Sequence, residues 1–344
     1  MREAGSRVLA LLALTLAGAA AAQGSWCVAV WYPSSEHPGG ADSIAANLDV
    51  IDVVHPFWFT PDANGALLDQ GGAGADAQVR AWREAGLLVV PSVFSGHWGF
   101  LDAERRPAHV DAIVDLVLRR GFDGIDVDYE GFPLTTREAF ASFVEELAEA
   151  LHDHGRLLSV TVHAKTEDAP PFEGAAAQDW DRLAAAADAL NLMTYDFTNR
   201  DEPPGPVADR AWVGDVVAYA TTVTEGARLR VGLPFYGYTW TRARPPARAT
   251  TWEATDRTVR QFGLEPVRDE ASGELVVDLD VRGLPRQVTY VSDAVTTAAR
   301  LEALRGRGVG GVAIWGLGGE DPANWDALRE ARPAPCAARR AAGR

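Results

Sequence analysis

The chain contains the run Phe122-Asp123-Gly124-Ile125-Asp126-Val127-Asp128-Tyr129-Glu130, in which acidic and apolar side chains alternate. Successive side chains of a β-strand point to opposite faces. If the run is a strand, Asp126, Asp128 and Glu130 share one face, and the apolar residues between them share the other. The run therefore predicts a strand that packs with one face on a hydrophobic layer and presents three acids on the other.

Apolar, β-rich runs of similar length recur on both sides of this stretch. Amphipathic helical patterns such as Pro107–Arg119 and Thr136–His152 lie between them. With the acidic strand, the runs are Trp26–Trp31, Val50–Phe57, Leu87–Phe94, Gly124–Tyr129, Leu158–His163, Ala189–Thr194, Leu229–Phe235 and Val309–Trp315. Eight strand and helix alternations predict an α/β fold, a closed (β/α)₈ TIM barrel. In such a barrel the three acids point inward and rise toward the carboxyl-end mouth.

An open, doubly wound sheet is the main alternative fold. Such a sheet usually carries a glycine-rich phosphate loop after its first strand. The corresponding segment is Trp31-Tyr32-Pro33-Ser34-Ser35, which contains no glycine. The barrel is therefore favoured.

The domain boundaries follow from the same pattern. We expect one barrel domain over residues 23–332 and a flexible tail over 333–344. The connection at about 239–287 is long for a barrel loop and contains further strand-like runs. It predicts a small α+β insertion between strands 7 and 8, placed where it could form one wall of a cleft.

Residues 1–22 have the features of a secretory signal peptide: two arginines, an apolar run and small residues before Gln23. An uncleaved anchor is the alternative. We expect a secreted, periplasmic or cell-envelope protein. Export makes a disulfide between the two cysteines, Cys27 and Cys336, chemically possible, with two free thiols as the alternative.

Charge limits the possible partners. The formal net charge is -16 and no basic stripe is visible, which disfavours nucleic acid and stable association with an anionic membrane. The histidines are scattered and lack a metal-binding spacing such as H-E-x-x-H. We expect a monomer with no metal and no cofactor.

Three neighbouring inward carboxyl groups cannot all ionise, so at least one should retain its proton. No cationic residue occurs within residues 122–130 to neutralise them. One protonated and one ionised carboxyl group is the arrangement that a general acid and an electrostatic stabiliser require. A divalent-cation site or a solvated edge strand are the alternatives. The first would need further ligands nearby, and the apolar neighbours argue against the second.

The run also resembles the signature of glycoside hydrolase family 18, the chitinase-like enzymes: an apolar residue followed by D-G-φ-D-φ-D-x-E, where φ is apolar. Three later segments resemble elements of that family in the expected order, Met193–Asp196, Gly232–Gly237 and Ala313–Trp315. The S-x-G-G element of many chitinases is matched only loosely, by 91–96. The sequence around Val54–Phe59 and after Trp315 most resembles the sequences of the bacterial cell-wall and spore-cortex N-acetylglucosaminidases.

The resemblance implies a substrate-assisted, retaining hydrolysis, an exception to the scheme with two enzymic carboxylates. It implies that Glu130 protonates the glycosidic oxygen while the acetamido group of the substrate attacks the anomeric carbon. Asp128 would hold the acetamido N–H, Asp126 would share a proton with Asp128, and Tyr195 would donate its hydroxyl to the acetamido oxygen. Asp123 has the opposite parity, and we expect a structural role for it.

Four further side chains are predicted to contact the sugar: Trp315, Asp196, Tyr236 and Trp58. Core packing is the alternative for the aromatic ones. The predicted substrate is a β-1,4-linked N-acetylglucosamine polysaccharide or oligosaccharide, either chitin-derived or peptidoglycan. A non-catalytic lectin on the same barrel is the alternative function, which the intact acids disfavour. A barrel hydrolase with carboxylates on two strands is disfavoured because no second strand ends in Glu.

Overall fold

The computed structural model describes residues 26–33, 39–72, 74–332 and 336. The predicted signal peptide, residues 1–22, lies outside them, as does the predicted tail apart from Cys336. Within the described part the strands are β1 (Cys27–Tyr32), β2 (Val53–Pro61), β3 (Leu67–Asp69), β4 (Leu88–Val89), β5 (Ser92–Ser95), β6 (Gly124–Tyr129), β7 (Leu157–His163), β8 (Ala189–Met193), β9 (Leu229–Pro234), β10 (Gly237–Thr241), β11 (Arg248–Thr250), β12 (Val267–Arg268), β13 (Leu275–Leu279), β14 (Gln287–Val291) and β15 (Gly311–Trp315).

Eight parallel strands close into a barrel, with β4 and β5 forming one of them. The order is β1, β2, β4–β5, β6, β7, β8, β9 and β15, and β15 pairs again with β1. The short β3 adds to the carboxyl end of β2 as an antiparallel strand. The predicted (β/α)₈ barrel is confirmed, and the open sheet is excluded by the closing pair.

Helices follow the barrel strands and cover their outer faces. They are α1 (Gly40–Ala46), α2 (Ala75–Glu84), α3 (Arg106–Arg120), α4 (Arg137–His152), α5 (Glu173–Ala176), α6 (Trp180–Ala186), α7 (Arg210–Val223), α8 (Trp252–Phe262), α9 (Ala294–Leu304) and α10 (Ala323–Ala331). Side-chain caps mark several of their starts. Asp179, Asp209 and Asp293 each accept a hydrogen bond from a backbone N–H of the first turn. None of the helices in the described residues has the length and apolar character needed to span a bilayer.

Strand β6 shows how the alternating sequence orients the acids. Ile125, Val127 and Tyr129 are fully buried in the core between strands and helices. The Tyr129 hydroxyl is paired with Nε2 of His109 at 2.6 Å, so its polar group is satisfied. The strand begins at Gly124. Only glycine fits at this position, because a Cβ there would lie 2.2 Å from the carbonyl oxygen of Leu157. The side chains of Asp126 and Asp128, which have the opposite parity, face the barrel interior.

The insertion forms a second, five-stranded antiparallel sheet between β9 and β15. Its order is β11-β10-β14-β13-β12, and α8 lies in the same segment. The sheet spans residues 237–291, slightly more than the expected 239–287. A buried ion pair holds it to the barrel: Glu274 accepts from Arg300 at 2.6 Å and from the backbone N–H groups of Val207 and Ala208. Each acceptor oxygen of the buried carboxylate is therefore used.

The two ends of the barrel domain meet. Cys27 in β1 is disulfide-bonded to Cys336, across a sequence separation of 309 residues. Arg332 forms an ion pair with the fully buried carboxylate of Asp52 in the same region. The bond closes the barrel domain into one large covalent loop, which restricts the unfolded chain.

Candidate active site

A column of three carboxyl groups rises through the barrel interior along β6. Asp126 is fully buried, Asp128 is 4% exposed, and the Glu130 side chain is 33% exposed at the carboxyl-end mouth. Side chains two residues apart along a strand lie on the same face, so the three carboxyl groups follow one another along β6. The three acids thus share one face and differ in depth.

Asp126, at the bottom of the column, is surrounded by hydrogen-bond donors from four other strands. The donors are Trp31 Nε1 at 3.2 Å, Ser92 Oγ at 2.7 Å, Ser159 Oγ at 2.6 Å, Thr161 Oγ1 at 3.1 Å and Asn191 Nδ2 at 3.0 Å. The indole and amide N–H groups can only donate. Asp126 is therefore held as an acceptor, the role of a carboxylate.

Asp128 has almost no such support. Within the part of the chain that the structure describes, its Oδ1 is buried and has no hydrogen-bond partner. Burial raises the pKa of Asp128 well above its usual range, and repulsion from Glu130 and Asp126 raises it further. A buried polar atom without a partner is costly, and this one points to a group that a ligand would supply.

Glu130 lies at the mouth with its backbone N–H bonded to the carbonyl of Ser95. Burial raises the pKa of the Glu130 carboxyl to about 7, and the charge of Asp196 adds to the effect. A carboxylic acid with this pKa is partly protonated at neutral pH, as a general acid requires.

The nearest candidate cation for Glu130 is His163, whose Nε2 lies 3.8 Å from Glu130 Oε2. Burial lowers the pKa of His163 to about 4, so the ring is neutral at neutral pH. The backbone N–H of Gly131 donates to the same Nε2 at 3.4 Å, which assigns the ring proton to Nδ1. The contact is therefore no ion pair, and Glu130 keeps its raised pKa.

Tyr195 and Asp196 follow β8 and turn toward the acids. Asp196 adopts φ 55°, in the left-handed region that aspartate tolerates better than most residues. Burial raises the pKa of the Tyr195 hydroxyl well above its usual range, with repulsion from Asp128 and Glu130 next in size. Tyr195 is therefore a permanent hydrogen-bond donor beside the column.

Asp196 is an exposed residue at the mouth, but its carboxyl group lies against the surrounding protein, and this desolvation raises its pKa. Its Oδ1 accepts from the hydroxyl groups of Tyr236 and Tyr238, the latter at 3.0 Å, and both bonds counteract the rise. Tyr238 comes from β10, so the insertion contributes to the site.

Trp315 ends β15 with its ring half-buried at the mouth. It meets Trp31 and Phe57 edge to face, at ring-centroid distances of 6.2 and 5.5 Å. Phe57 in turn contacts Phe94 at 5.3 Å. The three rings beside Trp31 form an apolar wall next to the carboxyl column, which suits the apolar face of a sugar ring.

Two further residues that were predicted to contact the sugar are buried side chains. Tyr236 is 6% exposed and its hydroxyl is bonded to Asp196, so it positions Asp196 from beneath. The prediction for Trp58 is wrong: it packs in the layer between strands and helices against Tyr32 and Trp82. The reason is that β2 continues to Pro61, which gives Trp58 the outward parity of Val54.

Asp123, expected to be structural, accepts the backbone N–H of Val89 at 2.8 Å outside the barrel. The five donors around Asp126 were not predicted from the sequence. The signal was available for Ser159 and Thr161, polar residues of inward parity within an apolar strand. In the described residues no group of three His, Cys, Asp or Glu side chains is arranged to hold a metal ion.

Comparison with known proteins identifies a family and relatives for this chain. A profile of the Glycosyl hydrolases family 18 matches residues 83–320. An uncharacterized glycosylase, YvbX, of Bacillus subtilis is 22% identical over 64% of this chain and 64% of its own length. The cortical fragment-lytic enzyme of Bacillus cereus is 23% identical over 71% of this chain and 59% of its own length. The chain thus spans somewhat less than two-thirds of the lengths of these relatives.

Among solved structures, a chitinase from Chromobacterium violaceum superposes with a TM-score of 0.83. It is 24% identical, and the alignment covers 89% of this chain and 99% of the chitinase chain. At this identity the superposition supports the fold. The profile match covers more than half of the chain and includes the carboxyl column, β8 and the whole of β15 with Trp315. The chain therefore belongs to glycosyl hydrolases family 18, as its resemblance to the family signature predicted.

Proposed function

We propose that this protein is a glycoside hydrolase that cleaves β-1,4-linked N-acetylglucosamine glycans, either chitin oligosaccharides or peptidoglycan, by a substrate-assisted retaining reaction. The observation that carries the proposal is the contrast within the column: Glu130 at the mouth has a pKa of about 7, and Asp128 beneath it has a buried Oδ1 without a partner. One group can donate a proton, and the other can receive an N–H.

In the first step the Glu130 carboxyl group transfers its proton to the glycosidic oxygen as the bond to the anomeric carbon breaks. The carbonyl oxygen of the 2-acetamido group forms a bond to the same carbon, giving a cyclic oxazolinium intermediate. In the second step water attacks that carbon from the side that the leaving group vacated, and the bond from the carbon to the acetamido oxygen breaks, which regenerates the acetamido group. The Glu130 carboxylate takes the proton of this water, and the anomeric configuration is retained.

The remaining groups stabilise the acetamido group as it becomes positively charged. Asp128 Oδ1 accepts the acetamido N–H, which satisfies the buried oxygen and fixes the attacking carbonyl. The protonated hydroxyl of Tyr195 orients the acetamido oxygen from the other side. The half-buried ring of Trp315 receives the apolar face of the sugar. A ligand without an acetamido group would leave Asp128 unpaired, which favours N-acetylated sugars.

We further propose that the protein acts outside the cytoplasm. The Cys27–Cys336 disulfide supports this location because such bonds persist in oxidising compartments. The leader predicted over residues 1–22 agrees with it. The substrate candidates, chitin and peptidoglycan, are both extracytoplasmic polymers.

The proposal is tested by product analysis after incubation with chitin oligomers and, in parallel, with purified peptidoglycan. We expect soluble N-acetylglucosamine-containing products from at least one polymer, and NMR of the fresh products should show retained β-configuration. Glu130→Gln should reduce turnover by about 10³-fold while the fold and sugar binding persist. The matched control is Glu173→Gln, a rim glutamate whose carboxylate only accepts a long bond from the Leu134 N–H.

The outcomes separate the competing functions. Binding of both glycans without turnover would identify a lectin. Wild-type rates for Glu130→Gln would overturn the acid assignment. Inverted products, or no inhibition by a thiazoline that mimics the cyclised intermediate, would refute substrate assistance.

A further inference from the structure

The barrel interior contains a cation that the carboxyl strand itself lacks. Arg230 lies on β9 between Leu229 and Val231, which both point outward into the core between strands and helices. Its own side chain therefore points into the barrel. It sits near the amino end of the strand, below the level of the carboxyl column.

Arg230 reaches the column through one amide. Its Nη1 donates to Asn191 Oδ1 at 3.4 Å, and Asn191 Nδ2 donates to Asp126 Oδ1 at 3.0 Å. The two residues are register partners on neighbouring strands. The amide can satisfy both neighbours in only one orientation, because Oδ1 accepts and Nδ2 donates. The guanidinium thus fixes which atom of Asn191 faces Asp126.

Other acids approach Arg230 at the amino end of the barrel, and each has a partner of its own. Asp52 is ion-paired with Arg332. Asp188 accepts from the Leu158 N–H at 2.8 Å and lies 3.0 Å from His152 Nε2. Asp126 has hydrogen-bond donors, all of them uncharged groups. Of the three acids, Asp126 is the one that Arg230 reaches through a hydrogen-bonded side chain, Asn191.

Strand β2 places a further ring at this level, His55. Burial lowers the pKa of His55, and its Nδ1 contacts the Val90 carbonyl at 2.7 Å, so the ring is neutral at neutral pH. Burial also lowers the pKa of Arg230, while Asp126, Asp52 and Asp188 counteract that effect. An arginine starts from so high a pKa that it stays charged at neutral pH.

We propose that Arg230 is a positioning residue for the reaction, which orients Asn191 against Asp126 and offsets the negative charge at the bottom of the carboxyl column. The inference rests on the proposed hydrolytic function. Arg230 thereby supplies, through Asn191, a positive charge near Asp126 that the uncharged hydrogen-bond donors of Asp126 do not carry.

Other titratable groups also face the carboxyl column, and their charges affect its ionisation. They are Asp196 and Tyr195 after β8, His163 on β7, Tyr236 after β9, Tyr238 on β10 and His55 on β2. At neutral pH the tyrosines and histidines are uncharged, and Asp196 can only add negative charge. Loss of the Arg230 charge therefore makes the column harder to ionise.

The test is the pH profile of kcat/KM for wild type, Arg230→Met, Arg230→Lys and the matched control Arg228→Met. Arg228 lies two residues earlier and donates to the carbonyls of Ala184 and Ala187, away from the column. We expect Arg230→Met to move the acidic limb upward by about one pH unit, with kcat reduced and KM nearly unchanged. Arg230→Lys keeps the charge and should leave the limb near its wild-type position. Arg228→Met should behave as wild type.

An unchanged profile in Arg230→Met, or an equal shift in Arg230→Lys and Arg230→Met, would overturn the proposal. If Arg230→Met does not fold, Asn191→Ala breaks the same link while keeping Arg230, and it should lower kcat several-fold without moving KM. Absence of wild-type turnover on every glycan would instead refute the proposed function. In that case ¹³C NMR titration of labelled Asp carboxyl groups, with Asp126→Asn for assignment, still tests whether Arg230→Met raises the pKa of the column.

Discussion

The bottom and the top of the barrel interior use the same residue type in opposite ways. At the bottom, Asp126 accepts hydrogen bonds from five side chains and lies above an arginine. At the top, Asp128 and Glu130 face each other with raised pKa values, and the nearest ring, His163, is neutral. Burial is comparable for the two aspartates, so burial alone does not set their roles.

The difference shows that hydrogen-bond donors determine which carboxyl group keeps its charge. A carboxylate in a dry interior is tolerated when donors replace its hydration. Where donors are missing, the group holds a proton or waits for a ligand. The lower half of the interior is built to stabilise a charge, and the upper half is built to exchange a proton.

The largest effect should come from removing the unpaired acceptor at the top. Asp128→Asn replaces an oxygen that can receive the acetamido N–H with an amide that can present a donor to it. We expect kcat to fall about 10²- to 10³-fold with the fold retained. Steady-state kinetics on chitin oligomers and circular dichroism measure the two effects. A loss below tenfold would show that Asp128 does not contact the acetamido group.

The second effect concerns stability. Below pH 4.5 Glu130 is protonated in the folded and unfolded chains alike, so its ionisation makes no difference to stability. Between pH 4.5 and about 7 the folded chain binds more protons, because its Glu130 pKa is about 7, and the free energy of unfolding falls as pH rises. Glu130→Gln removes this titration and should gain on the order of 2 kcal/mol relative to wild type above pH 7.

Urea unfolding of both proteins at pH 4 and pH 8 measures this difference. The gain should be present at pH 8 and small at pH 4. Glu173→Gln serves as the control, since that carboxyl group lies at the exposed rim. A pH-independent difference between wild type and Glu130→Gln would show that the Glu130 carboxyl group is not held protonated by the fold.

A smaller effect is expected at the bottom of the column. Ser159→Ala removes one donor from Asp126 and leaves the other four, so we expect about a tenfold loss of kcat. KM should not change, because Ser159 is buried beneath the site. The control is Ser142→Ala, on α4 outside the barrel. A change in KM with kcat preserved would contradict the role assigned to the lower half.

The smallest effect on kcat/KM should come from a change beneath Asp196. Tyr236→Phe removes one of the two hydroxyl groups that hold Asp196, while Tyr238 remains. The pKa of Asp196 should rise further, and kcat/KM should fall only a few-fold, measured near neutral pH. Tyr290→Phe is the matched control, since Tyr290 packs against Trp240 in the insertion. A loss as large as that of Asp128→Asn would move Asp196 into the group of essential residues.

The alternation within residues 122–130 was sufficient to predict a strand, its inward face and the three acids on it, because side-chain parity is a local property of the backbone. The barrel was predicted from eight apolar runs that alternate with helical patterns, and these patterns are also local features of the sequence. The family signature then fixed the order of the later elements. Trp58 shows the limit of this prediction: the expected strand ended at Phe57, whereas β2 continues to Pro61 and gives Trp58 the outward parity of Val54.

The partners of the acids could not be read from the sequence. The donors to Asp126 come from β1, β5, β7 and β8, and Arg230 from β9, and no local rule links them. The tertiary structure determines which of the three acids has hydrogen-bond donors around it, because that depends on distances between strands that only closure of the barrel creates. The sequence by itself determined that three acids share a face, and the closed barrel determined what each of them can do.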